Sequence, residues 1–171
     1  DPSTLAELDS VDCGARIGSR PAFSPDGNWL AFRRDNTTAT DLVILDMHHK
    51  REVKVLKTAK SDGALVLFAR GGSLLLTASY ADDVIRVWDT VAWREVAVFP
   101  AKFPENGRGG MATSPDGNTL AVGGKDGLVR LWDLNRLMEM APLRSGAGAV
   151  YSVVFSPDGK TLVLGALDRT I

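Results

Sequence analysis

Apolar residues along this chain come in short bursts, either alternating with polar ones or in compact runs. AVYSVVF (149–155), TLVLGA (161–166), ALVLFA (64–69), EVKVL (52–56) and EVAVF (95–99) are of this kind. Bursts of that length with a period of two, bounded by Gly, Pro, Asp and Asn, predict strands. No stretch sustains the three-to-four spacing of a helix. Between the first and second predicted strands stand FSPDGN (23–28), TSPDGN (113–118) and FSPDGK (155–160), with a degenerate copy, FARGGS, at 68–73. Pro presets φ, Asp bonds a nearby backbone N–H and Gly accepts positive φ, so the string suits a tight turn. YADD, KDGL and LDRT are the turns predicted between second and third strands. EMAPL (139–143) takes the place of a fourth strand, with Met138 and Met140 alternating beside Leu137.

These elements recur. The turn glycines fall at 27, 72, 117 and 159, in steps of 45, 45 and 42. A second register agrees: LVILD (42–46), IRVWD (85–89) and VRLWD (129–133) end in Asp46, Asp89 and Asp133. Projecting back from Asp46 lands on Asp1, and the sixth residue after each of these four aspartates is a glutamate, Glu7, Glu52, Glu95 and Glu139. The next such aspartate is expected just after Ile171. One period therefore holds four short strands and closes its third on Trp-Asp.

That pattern, with the blocks FSPDGKTLVLGALDRTI and LAVGGKDGLVRLWDL, resembles the WD-repeat β-propeller family over nearly the whole chain. The resemblance implies an all-β fold of four-stranded antiparallel blades, about four of them, stacked face to face. The expected divisions are the fourth strand of a preceding blade plus a connection (1–16), a first repeat (17–58), a second (59–103), a third (104–145) and an incomplete fourth (146–171). Family rings usually hold seven or eight blades, so an open arc of a larger ring is expected, with apolar faces and strand edges exposed. The resemblance makes Trp88 and Trp132 the wedges between blades, each followed by its aspartate, Asp89 and Asp133. Leu45 stands in the same place in the first copy. The second-turn aspartates are Asp82, Asp126 and Asp168. The family's His before the first strand is missing from every copy. Thr77 and Ser79 are hydroxyls within reach of Asp82, whereas Gly123 and Gly165 leave the later copies without one, so a partial polar network is expected.

Composition narrows the function. Hydrophobic residues make up 44% and charged ones 24%, an ordinary globular balance. Lys plus Arg is 20 against 21 for Asp plus Glu, a net charge of −1, which gives no sign of a nucleic-acid partner. No apolar run is long enough to span a bilayer as a helix, and a membrane partner is not expected. Cys13 is the one cysteine and cannot form a disulfide within the chain. The compartment is not fixed by the sequence; a cytoplasmic setting is favoured over others.

Candidate chemistry is sparse. His48 and His49 are adjacent in one turn, where a solvated reading outweighs a metal site. GRGGMA (107–112) mimics a dinucleotide fingerprint but precedes a strand, and reads as a flexible connection between blades. Asn36-Thr37-Thr38 matches a glycosylation sequon, a common triplet. No catalytic residue, metal or cofactor is assigned. What remains is surface. The longest connection, PAKFPENGRGG (100–110), carries Lys102, Phe103 and Arg108; the turns add Tyr80, Lys125 and Arg169. Aromatic rings beside cations make up many contact hot spots, so these six are the expected partner-binding residues. Trp93, on the opposite rim, is either a second contact or packs its ring on Arg94 or a neighbouring blade. The expected function is a non-catalytic scaffold holding a protein or peptide, as a module of a larger signalling or regulatory protein, with self-association through exposed blade edges. The alternatives are part of a propeller hydrolase or lyase and, from the long second turn RRDNTTATD (33–41), a periplasmic Tol-like propeller.

Overall fold

The computed structural model describes residues 16–17, 20–35, 40–58, 65–104, 109–146 and 148–167. The expected leading strand within 1–15 and the third strand around Thr170 and Ile171 lie outside the described residues. Sixteen strands form four antiparallel sheets, with no α-helix among the described residues.

In the first blade β3 (Trp29–Asp35), β4 (Thr40–Asp46) and β5 (Arg51–Thr58) pair in order. The two short pieces β1 (Arg16–Ile17) and β2 (Ala22–Phe23) both lie on β3. The second blade is continuous: β6 (Val66–Ala69), β7 (Leu74–Ser79), β8 (Val84–Asp89) and β9 (Arg94–Pro100). In the third, β10 (Met111–Thr113), β11 (Thr119–Gly123) and β12 (Leu128–Asp133) are followed by β13 (Met138–Glu139) and β14 (Leu143–Arg144), both on β12. EMAPL is thus not one strand. Pro142 has no N–H to give a ladder, so the outer strand breaks there. The fourth blade shows β15 (Val150–Phe155) and β16 (Leu162–Ala166).

The blades stack because each sheet is apolar on both faces. β7 is buried at all six positions. Leu74, Leu76 and Ala78 join the core shared with the third blade, while Leu75 joins the core shared with the first. A strand buried on both sides reads as a continuous apolar run rather than an alternation, which is why LLLTAS looks as it does. Trp88 lies in the core between first and second blades, and Trp132 in that between second and third, stacked on Phe99 with ring centroids 5.3 Å apart. Each Trp therefore presses on the blade before its own. Leu45 is buried with Phe32 and Val43 on the face of the first blade turned away from the second.

The turns repeat as closely as the strands. In the first copy Ser24 Oγ donates to Asp26 Oδ1 and accepts from Trp29 N–H, and Asn28 N–H donates to Asp26. Ser114 and Ser156 do the same with Asp116 and Asp158. Gly27, Gly117 and Gly159 all have φ between 71° and 73°. At the same end of each blade the Asp of the third strand caps the next turn. Asp46, Asp89 and Asp133 each accept two successive backbone N–H groups through Oδ1.

The recurrent glutamates also have an account. Glu95 lies 3.4 Å from Arg86 Nε on the neighbouring strand, and Glu52 is hydrogen-bonded to Arg34. The negative charge of Glu139 supports the cation of Arg130. In the first three blades, then, this position carries the anion for a strand arginine.

Candidate interaction face

Antiparallel order puts the turns after second strands, and the connections between blades, at the end opposite the Ser-Pro-Asp-Gly turns. The best-described part of that end spans the second and third blades. Its organiser is Asp83. Its φ of 52° turns the chain back into β8, a conformation Asp tolerates better than most residues. Its carbonyl accepts from Ala101 N–H (2.8 Å) and its Oδ1 from Phe103 N–H (2.9 Å). The start of the long connection is thereby fastened to the turn of the second blade. Lys102, itself at φ 58°, accepts through its carbonyl from Lys125 N–H (2.9 Å), which adds the third blade.

Two ion pairs cross that boundary in opposite senses. Lys125 Nζ lies 3.3 Å from Asp83 Oδ2, and Lys102 Nζ lies 3.6 Å from Asp126 Oδ2. Asp126 is also gripped by Arg130, through Nη1 to Oδ1 (3.1 Å) and Nη2 to Oδ2 (2.6 Å). That fork holds the Asp126 carboxyl down to about 2. Gly124 lies beneath it, where a Cβ would fall 2.6 Å from Asp126 Oδ1. Asp82 and Arg86 repeat the pair one blade earlier at 2.7 Å. Partial burial raises the Asp82 carboxyl, but the Arg86 guanidinium and the Ser79 hydroxyl together outweigh it and the carboxyl sits below its usual range.

Phe103 is 2% exposed and belongs to the core between second and third blades. The expectation of a surface ring is therefore corrected: the ring supports the face from below and is not on it. Tyr80 packs edge-on against it, centroids 4.7 Å apart, and donates its hydroxyl to the Gly109 carbonyl at 3.1 Å. Burial pushes the Tyr80 phenol up to about 12. A Cβ at Gly109 would lie 2.3 Å from the Phe103 ring, and one at Gly110 2.7 Å from Ser152 Cα. The end of GRGGMA is thus closely packed, not a flexible connection. Arg108, Arg169 and Asp168 lie outside the described residues.

Of the predicted set, the structure brings Tyr80, Lys102, Phe103 and Lys125 together, with Lys102 and Lys125 on the surface. Asp83 was missed. Its trace in the sequence is the doubled acid of YADD, where only the first aspartate fits the repeat. The remaining repeat aspartates, Asp89 and Asp133, cap turns at the far end. Thr77, a suggested neighbour of Asp82, instead accepts from the Trp88 indole N–H at 3.0 Å. His49 Nδ1 lies 2.7 Å from Asp46 at the far end. No group of three or more His, Cys, Asp or Glu able to hold a metal occurs among the described residues.

Comparison with known proteins places this geometry. The model of the family "WD domain, G-beta repeat" matches residues 103–133 and 140–171. An uncharacterized WD repeat-containing protein of Synechocystis sp. is 31% identical over 149 residues, 86% of this chain and 40% of that protein. Transducin beta-like protein 3 of Bos taurus is 30% identical over 129 residues, 74% of this chain and 15% of that protein. A DDB1- and CUL4-associated factor 11 homolog of Caenorhabditis elegans is 26% identical over 68% of this chain and 21% of its own length. The chain thus spans well under half of each of these relatives. Among solved structures, Kuenenia stuttgartiensis hydrazine synthase superposes with a TM-score of 0.71 over 94% of this chain and 44% of that one, at 19% identity, a likeness of fold alone. With Trp88 and Trp132 wedged between antiparallel blades of one repeating plan, the chain belongs to the WD-repeat family and forms part of a β-propeller.

Proposed function

We propose that this chain is a non-catalytic scaffold that holds a protein or peptide across the end built by Asp83, Lys102, Lys125 and Asp126, as a module of a larger signalling or regulatory protein. The observation that carries the reading is the way the lysines are presented. Both side chains are exposed, at 58% and 43%, while their backbones are fastened across two blades by the hydrogen bonds of Asp83 and Lys102. A partner meeting such a face does not have to order its loops, so little entropy is lost on binding. The lysines sit within 3.6 Å of carboxylates, so they offer alternating charge rather than a positive field, and select by pattern. The WD-repeat relatives, with a transducin beta-like protein and a CUL4-associated factor among them, support an interaction role.

The test is lysine-reactive crosslinking of the full-length protein in its native cells, followed by Lys102→Glu with Lys125→Glu. Partners crosslinked through Lys102 or Lys125 should lose about tenfold or more in affinity on this double reversal, as when like charges face each other. Unchanged affinity of every such partner refutes the choice of this face.

A further inference from the structure

At the opposite end, between the first and second blades, an open cleft of about 490 Å³ is lined by Ser24, Asp26, Trp29, Ser73, Thr90 and Trp93, among others. Two features set it apart. The first is aromatic. Trp29 and Trp93 meet edge to face, centroids 6.1 Å apart and planes at 86°, and form two walls of a corner. Trp93 holds φ at 51°, the left-handed position shared by Lys50 and Leu137 at the end of the same turn in the other blades. At the next boundary the corresponding pair is two leucines, Leu74 buried in the core and Leu137 partly buried against it, as Trp29 and Trp93 are against theirs. The tryptophans are therefore particular to this cleft.

The second feature is the direction of its hydrogen-bonding groups. Ser24 Oγ gives its proton to Asp26, Ser73 Oγ to the Arg70 carbonyl (2.9 Å) and Thr90 Oγ1 to the Gly72 carbonyl (2.8 Å). The backbone N–H groups of Trp29, Ser73, Thr90 and Val91 are spent on partners within the turns. What these hydroxyls and the Asp26 carboxylate can still offer is lone pairs. Asp26 also stays charged, because the Ser24 hydroxyl and the Asn28 amide hold its carboxyl below the usual range.

Indole faces beside a set of acceptors and one fixed negative charge complement a flat cation that only donates. Guanidinium is such a group, with five N–H donors, no acceptor and a face that stacks on aromatic rings. We propose that this cleft is a recognition site for an arginine side chain carried on an exposed segment of a partner polypeptide. Val91, 88% exposed at the rim, would meet its methylene stem. The site lies at the end opposite the lysine face and does not depend on that reading.

The experiment titrates the full chain, labelled with ¹⁵N at its indoles, with acetyl-Gly-Arg-Gly-amide and with the neutral isostere carrying citrulline. The chain has four tryptophans, so each resonance can be assigned by substitution. Trp29 and Trp93 should shift saturably with the arginine peptide while the interior Trp88 and Trp132 do not. The citrulline peptide should bind about tenfold more weakly, and Thr90→Val and Asp26→Asn should each weaken arginine binding about threefold or more, as expected for charge-assisted contacts. The Trp88 resonance reports whether either variant still folds, and Thr90→Val leaves the Ser-Pro-Asp-Gly turn untouched should Asp26→Asn fail. Unmoved Trp29 and Trp93 resonances, equal shifts with citrulline, or equal shifts at all four indoles overturn the proposal.

Discussion

Thr77 separates the second blade from the third. It stands opposite Arg86, and Val122 holds the corresponding place opposite Arg130. The Trp88 indole donates to Thr77 inside the core, so Thr77→Val would leave a buried N–H without its acceptor at nearly constant volume. The expected cost is about 1–3 kcal/mol, read as a lower urea midpoint with an unchanged slope. Asp126 gives a second residue-scale expectation. Its usual value of 3.8 falls to about 2 in the folded chain, chiefly through the Arg130 fork. A depressed folded value means that the stabilisation is complete above pH 4 and drains away as pH falls toward 2. Urea midpoints should decline across that window, and Asp126→Asn should flatten part of the decline while lowering stability at pH 7. An identical acid limb in the variant would show that the fork contributes nothing.

Between elements, glycines decide how closely blades approach. A Cβ at Gly123 would lie 2.6 Å from the Val150 carbonyl oxygen, a backbone atom that cannot turn aside, whereas one at Gly27 would meet nothing within 4 Å. Gly123→Ala should therefore push β15 off the third blade at roughly 1–3 kcal/mol. Gly27→Ala should cost about 1 kcal/mol for its φ of 73° alone. Amide exchange separates them: only Gly123→Ala should speed exchange over residues 150–155. Such contacts mark the boundary of what the sequence discloses. The strands, the Ser-Pro-Asp-Gly turns and the Trp wedges are legible because they depend on residues a few positions apart and recur at a fixed step. The burial of Phe103, the close approaches of Gly110 and Gly123 and the meeting of Trp29 with Trp93 depend on residues 27 to 64 positions apart or on the seating of one blade against another. A single chain carries no local trace of those. The broken outer strand of the third blade was readable in principle, since Pro142 announces it, but the alternation of Met138 and Met140 outweighed that residue.

Across the whole molecule the blades form a graded stack. The boundary between second and third blades has the largest core, including Trp132 on Phe99, the Tyr80–Phe103 pair and the crossed lysine pairs. The boundary between third and fourth has a smaller buried core, Ala121, Val129, Val150 and Val153, with Leu131, Phe155, Leu162 and Leu164 only partly buried against it. On the far face of the fourth blade Val154 and Val163, direct cross-strand neighbours, are 53% and 40% exposed, and Leu167 nearby is 65% exposed. Adjacent apolar side chains left in water favour association with another apolar surface, each fully buried one contributing about 1.5–3 kcal/mol. Expressed as these 171 residues alone, the chain should therefore self-associate with concentration through that face. Val154→Glu with Val163→Glu should shift sedimentation toward the monomer while leaving the urea midpoint nearly unchanged, because neither side chain joins a core between blades among the described residues. If the double variant associates as strongly as the parent, the contact lies elsewhere, and the exposed outer strand of the third blade, with Met138 at 61% and Leu143 at 44%, becomes the surface to alter next.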